Sequence, residues 1–183
     1  KTGCCTSVLN PPLQRGLVSM GIKELDRVKV NNELSSMPVN PWQFEVDLGA
    51  DAETSLAKLK QVLELIAFYS VEDWPSDDQW RELMPEWLRE NIPELTKEQT
   101  DKLLADTPQA QWDSLPWEFL SWLDAIRDRG WSWWGYLKNS DSNATLVVHI
   151  AMIPERIDAF KELLKVIGMR IKSESYAHLS SHG

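Results

Sequence analysis

The apolar residues of this chain change period along its length, and the order of those changes limits the fold more than any other feature. Trp42, Phe44, Val46 and Leu48 alternate with Gln43, Glu45 and Asp47. A period of two marks a half-buried strand, and Gly49 ends it. Asp51 can cap the helix that follows, in which Leu56, Leu59, Leu63 and Ile66 share one face up to Tyr69. Further on, Trp131–Lys138 and the β-branched run Thr145–Ile153 read as a hairpin around the polar loop Asn139–Asn143. Pro154 opens a helix with Ile157, Phe160, Leu164 and Ile167 on one face, Gly168 ends it, and Met169–Ser175 suits a last strand. With the helical stretch in the middle set apart, the order is β-α-β-β-α-β. This predicts an α+β fold: an antiparallel sheet with helices on one face, in ferredoxin-like order, with a helical insertion. One alternative stays open, in which a helix over 116–128 is the first crossover and 54–69 belongs to an N-terminal subdomain.

The insertion covers about residues 72–129 and carries its own punctuation. Ser76-Asp-Asp-Gln79 has capping-box spacing ahead of an apolar stripe of Trp80, Leu83, Met84, Trp87 and Leu88. Pro85 should kink or restart that helix. Thr96-Lys-Glu-Gln99 is a second capping box. Pro116 suits a helix first turn, and Gly130 a C-terminal stop. Residues 1–20 read as an irregular lead-in interrupted by Pro11-Pro12, and Ser35–Pro41 as loop. Val28-Lys29-Val30 suggests a short strand, and 176–183 a loose tail. The length of 183 residues suits one domain, placed at 21–175.

The chain has a net charge of −9, and the excess is local: 15 acidic against 5 basic residues from Glu72 to Asp128. A field of that sign repels phosphate backbones and attracts basic protein surfaces. Nucleic acid is therefore not an expected partner, whereas a basic protein is. No apolar run approaches the roughly 20 residues that span a bilayer, so no membrane partner is expected either. Cys4 and Cys5 are adjacent, which suits neither an ordinary disulfide nor a tetrahedral metal site. A core without cysteine fits a cytoplasmic location. Gly3-Cys4-Cys5 has no apolar signal segment beside it and is not read as a lipidation site.

Motifs for catalysis are absent from the sequence. There is no G-x-S-x-G, no GxGxxG, no GxxxxGK[ST] and no HExxH. His149 lies in the strand TLVVHIAMI, while His178 and His182 lie in the tail. A lone histidine without convergent partners reads as structural. Asp73, Asp77 and Asp78 lack the spacing of a calcium loop, and a helix N-terminus accounts for acids there. No cofactor, metal or catalytic residue is assigned.

What remains is aromatic. The chain has ten tryptophans, and all except Trp42 lie between positions 74 and 134, interleaved with carboxylates. Tryptophan is usually spent on a core or an interface. The expected partner-binding set is Asp73, Trp74, Asp77, Asp78, Trp80, Glu82 and Trp87 in the helical stretch, with Trp134 and Tyr136 in the hairpin. Acids would steer the partner and tryptophans would anchor it. Strict alternation would put Trp134 and Tyr136 on one face of their strand.

The C-terminal third, GWSWWGYLK then TLVVHIAMI then FKELLKVIG, resembles small bacterial immunity proteins encoded beside secreted toxins. Such a resemblance implies a non-catalytic inhibitor, acidic and rich in surface aromatics, that neutralises the basic cleft of a toxin. Two other readings compete. One is a small-molecule-binding or regulatory α+β module with an aromatic-lined pocket, including a homodimer through a sheet edge or face. The other is an enzyme with a site near His149.

Overall fold

The computed structural model describes residues 24–29, 34 and 36–177. Cys4, Cys5, His178, His182 and the expected lead-in lie outside the described residues. Four strands form one sheet in the spatial order β2-β3-β1-β4: β1 (Pro41–Asp47), β2 (Trp131–Lys138), β3 (Asn143–Ile150) and β4 (Arg170–Tyr176). Every adjacent pair is antiparallel. Helix α2 (Ala52–Tyr69) follows β1, and α7 (Ile157–Ile167) joins β3 to β4. Between α2 and β2 lie α3 (Asp77–Leu83), α4 (Glu86–Asn91), α5 (Lys97–Asp106), a 3-10 turn (Gln109–Ser114) and α6 (Phe119–Arg127).

Several boundaries follow from local chemistry. The Asp51 carboxylate accepts from Thr54 N at 3.0 Å and starts α2. Both expected capping boxes form, at Ser76 on α3 and Thr96 on α5. Pro85 separates α3 from α4, as a residue lacking an N–H and fixed in φ must. Gly168 ends α7 with φ at 96°, a conformation that suits glycine.

Other boundaries differ from the expected ones. Pro116 is not in a helix: α6 starts at Phe119, because both Glu118 carboxylate oxygens accept from Leu120 N and Ser121 N. Strand β3 stops at Ile150 because Ala151 N and Met152 N both turn to the Gly130 carbonyl, at 2.8 and 3.2 Å. Residues 24–29 form a short helix, α1, where a strand at 28–30 is expected. Glu24 and Val28 stand one helical turn apart and both are buried. The Glu24 carboxylate accepts from Trp133 N at 2.6 Å and from Arg129 Nη2 at 2.8 Å. These tertiary bonds override the local β-preference of Val28.

One hydrophobic cluster joins the sheet to α2, α3, α4, α6 and α7, while α5 and the 3-10 turn stand outside it. Phe44, Val46 and Leu48 of β1 meet Leu59, Leu63 and Ile66 of α2 and Phe160, Leu163 and Leu164 of α7. Phe160 stands near the middle, with ring centroids 5.5 Å from Phe44 and 5.0 Å from Trp131. The central helices belong to the same cluster through Trp80, Leu88, Phe119, Trp122 and Ile126. The Trp122 indole donates to Ala159 O at 2.9 Å, tying α6 to α7. Truncating a buried ring such as Phe160 to alanine costs about 3–5 kcal/mol. Thus α2 shares a core with α7 and does not form a separate N-terminal unit.

Candidate functional site

The expected site residues do not form one surface. A β-bulge divides the hairpin pair. Along β2, Trp133 lies opposite Val148 and Gly135 opposite Val147, so Trp134 is the extra residue. Beyond it Tyr136 lies opposite Leu146, and directly opposed residues share a face of the sheet. Tyr136 therefore packs against the core, whereas Trp134 does not. Strict alternation had placed them together, and the inserted residue reverses that.

Trp134 is partly covered, by residues outside the helical stretch. Its indole donates to Ser36 O at 2.5 Å, and the Arg27 guanidinium carbon sits 3.7 Å from its ring centroid. His149 is 6.1 Å away on the same side. Burial first, and the Arg27 charge second, hold the His149 imidazole below its ordinary pKa. Among the described residues, no nucleophile and base converge on His149.

In the helical stretch the tryptophans take different roles. Trp80 is fully buried, at 0% exposure, and this corrects its expected place as a partner anchor. It lies beneath Trp74, with centroids 4.8 Å apart, and meets Tyr69 edge-on at 5.3 Å. Trp87 is half-buried against α2: Lys58 sits 5.0 Å from its ring and its indole donates to Gln61. Of the three expected anchors in this stretch, Trp74 is the one that combines partial exposure with carboxylate neighbours at a hollow; Trp112 and Trp117, not among the expected residues, line another hollow with Glu118 and Asp158.

The Trp74 hollow, of about 360 Å³, is lined by Tyr69, Asp73, Trp74, Pro75, Gln79, Glu82 and Leu83. Asp73, Asp77, Asp78 and Glu82 are all exposed. Asp78 is committed to Arg81, at 2.5 Å. Arg81 also grips Glu94 with two bonds, 2.7 and 2.6 Å, and holds the Glu94 carboxyl below its usual range. Among the described residues, Asp73, Asp77 and Glu82 have no ion-pair partner. The charge available at the hollow is therefore negative and sits beside an aromatic ring. Such a site suits a lysine or arginine side chain from outside. No three metal-ligating side chains converge among the described residues.

Sequence reasoning missed a buried ion pair nearby, Glu24 with Arg129. One signal for it exists. The α6 stripe of Phe119, Trp122 and Ile126 continues, three residues on, to Arg129. A charge on an apolar stripe calls for a buried partner.

No family model, no curated protein and no solved structure matches this chain. No helix among the described residues is long and apolar enough to cross a membrane.

Proposed function

We propose that this chain is a non-catalytic protein-binding module of the immunity type, which holds a basic protein such as a toxin. The observation that carries the reading is the Trp74 hollow. It pairs an aromatic wall with the carboxylates of Asp73 and Glu82, which have no cation among the described residues. A partner's arginine or lysine would lie against Trp74 between them, while Asp77 and Asp78 add to the steering field. The spatial order β2-β3-β1-β4, with α2 and α7 as the two crossovers, supports reading the frame as ferredoxin-like with α3–α6 inserted. The frame does not itself determine the function. The cytoplasm is the compartment we infer for such an inhibitor.

The test is to look for a basic protein encoded beside this chain and to measure its association with the purified protein. Association should slow by about tenfold from low to high salt, as electrostatic steering requires. Asp73→Lys combined with Glu82→Lys should slow it by at least as much at low salt, with unchanged circular dichroism. Salt-independent association, or a double variant that binds at the original rate, would remove the reading.

A further inference from the structure

A second recess, of about 460 Å³, opens where α2 and α6 end and β2 begins. Tyr69 and Trp74 line it as well as the acidic hollow. Its other walls include Glu24, Arg129, Trp131 and Met152. Two residues in the wall of this recess carry a buried hydrogen-bond donor with no acceptor among the described residues. Arg129 gives Nη1 to Ile126 O at 3.1 Å and Nη2 to Glu24 at 2.8 Å, which leaves Nε unserved. The Trp131 indole Nε1 is the second. The Arg129 guanidinium carbon lies 5.3 Å from the Trp131 ring centroid, so both donors belong to one cluster. Glu24 serves neither of them: its two oxygens accept from Arg129 Nη2 and from Trp133 N. Buried donors in folded proteins are ordinarily paired.

Charge selects the class of ligand. Glu24 neutralises Arg129 inside the wall, where their side chains are 2% and 6% exposed. Arg127, also at the recess, is held by Asp124 at 3.0 Å and Asp128 at 3.3 Å. Glu72 adds a negative charge. An anion would therefore meet no uncompensated cation. An uncharged acceptor would meet two donors and three aromatic rings, in a recess of the size that small ligands occupy.

We propose that this recess binds an uncharged planar compound, an aromatic amide or a nucleobase-like heterocycle. Its ring lies against Trp74 and Tyr69, and the wall side chains turn toward it, so that its carbonyl oxygen or ring nitrogen accepts from Arg129 Nε and Trp131 Nε1. The site shares Trp74 and Tyr69 with the partner-binding hollow but uses none of Asp73, Asp77 or Glu82, so a test read at Trp131 distinguishes it from that reading.

The experiment is a nicotinamide and uracil titration of ¹⁵N-labelled protein, following the indole N–H resonances. Trp131 is assigned by its loss in Trp131→Phe. The expected result is a saturable shift of the Trp131 indole N–H with at least one probe. Nicotinate, which has the nicotinamide ring with a carboxylate in place of the amide, should bind at least tenfold more weakly than nicotinamide. Trp131→Phe keeps a ring and removes one donor, and should weaken binding about tenfold. If that variant does not fold, toluene serves in its place: lacking an acceptor, it should leave the indole N–H resonance unmoved. A resonance unmoved by both probes would mean that water alone serves the donors, and would overturn the proposal. So would nicotinate binding as tightly as nicotinamide, binding unaffected by Trp131→Phe, or toluene reproducing the shift.

Discussion

Replacing Glu24 with glutamine should remove a large share of the stability of this protein, although it deletes no heavy atom. The carboxylate serves two donors, Trp133 N at 2.6 Å and Arg129 Nη2 at 2.8 Å. Glutamine has one oxygen. Whichever donor loses it faces an amide N–H₂ instead, and a buried donor left without an acceptor costs about 1–3 kcal/mol. The guanidinium also loses its counter-charge while its side chain is only 6% exposed. Breaking a buried pair by removing one partner costs about 3–5 kcal/mol. The retained oxygen places Glu24→Gln near the lower end, at about 3 kcal/mol. Arg129→Met should cost a similar amount, because it leaves the Glu24 carboxylate buried without its counter-charge.

The double variant is the sharper measurement. With Arg129 absent, the single amide oxygen introduced at position 24 can serve Trp133 N without competition. Glu24→Gln with Arg129→Met should therefore cost about 2–3 kcal/mol rather than the sum of about 6 kcal/mol, a coupling of roughly 3 kcal/mol. Urea unfolding followed by tryptophan fluorescence reads all three free energies. A loss below about 1 kcal/mol for Glu24→Gln, or strictly additive single variants, would show that water reaches the pair. In that case α1 is not docked on the edge of β2, and the argument for α1 as a tertiary helix fails.

Three further outcomes follow from the same geometry. A Cβ at Gly130 would lie 2.1 Å from Met152 O and 2.9 Å from Pro154 O, so Gly130→Ala should cost about 3 kcal/mol and lower the melting temperature by about 10 °C. A variant melting within about 2 °C of the parent would show that the loop yields. Helix α5 has no buried residue, so Thr96→Ala should speed amide exchange across α5 by about fivefold and leave the global melt in place. Equal loss at both levels would mean that α5 unfolds with the core. For His149, whose pKa is lowered by burial and by Arg27, the unfolded state binds the proton more readily. Its contribution is complete above about pH 6.5 and is lost as pH falls below that value. His149→Gln should flatten the stability curve between about pH 7 and 5, and an unchanged slope in urea midpoints would exclude this histidine as the cause.

How much of the molecule was legible depended on the range of the cause. The capping boxes at Ser76 and Thr96, the break at Pro85 and the stop at Gly168 act within four residues, and each formed where its residues stand. The alternation of Trp42 to Leu48 needs only one buried face, and β1 lies within a residue of it. Readings failed where the cause was distant. Val28-Lys29-Val30 has the composition of a strand, yet 24–29 is helical, because Glu24 is bonded to positions 129 and 133. Strict alternation could not register the extra residue at Trp134, since a bulge is defined by the partner strand.

The same distinction explains why composition marked the right region but not the right residues. Tryptophan density between 74 and 134 has two causes that a linear count cannot separate. Trp80, Trp122 and Trp133 are fully buried and fill the core. Trp74 and Trp131 border recesses. A periodic stripe identifies an apolar side of a helix, but how deeply that side is covered depends on its neighbours. Here Trp80 is covered in part by Trp74 and Tyr69, and those two rings are what the outside can reach. A residue read as an anchor has become the support beneath one. The acids were legible as a field because charge is additive along a chain. The uncompensated members of that field were not, because only the fold shows that Arg81 neutralises Asp78 and Glu94 and leaves Asp73 and Glu82 beside Trp74.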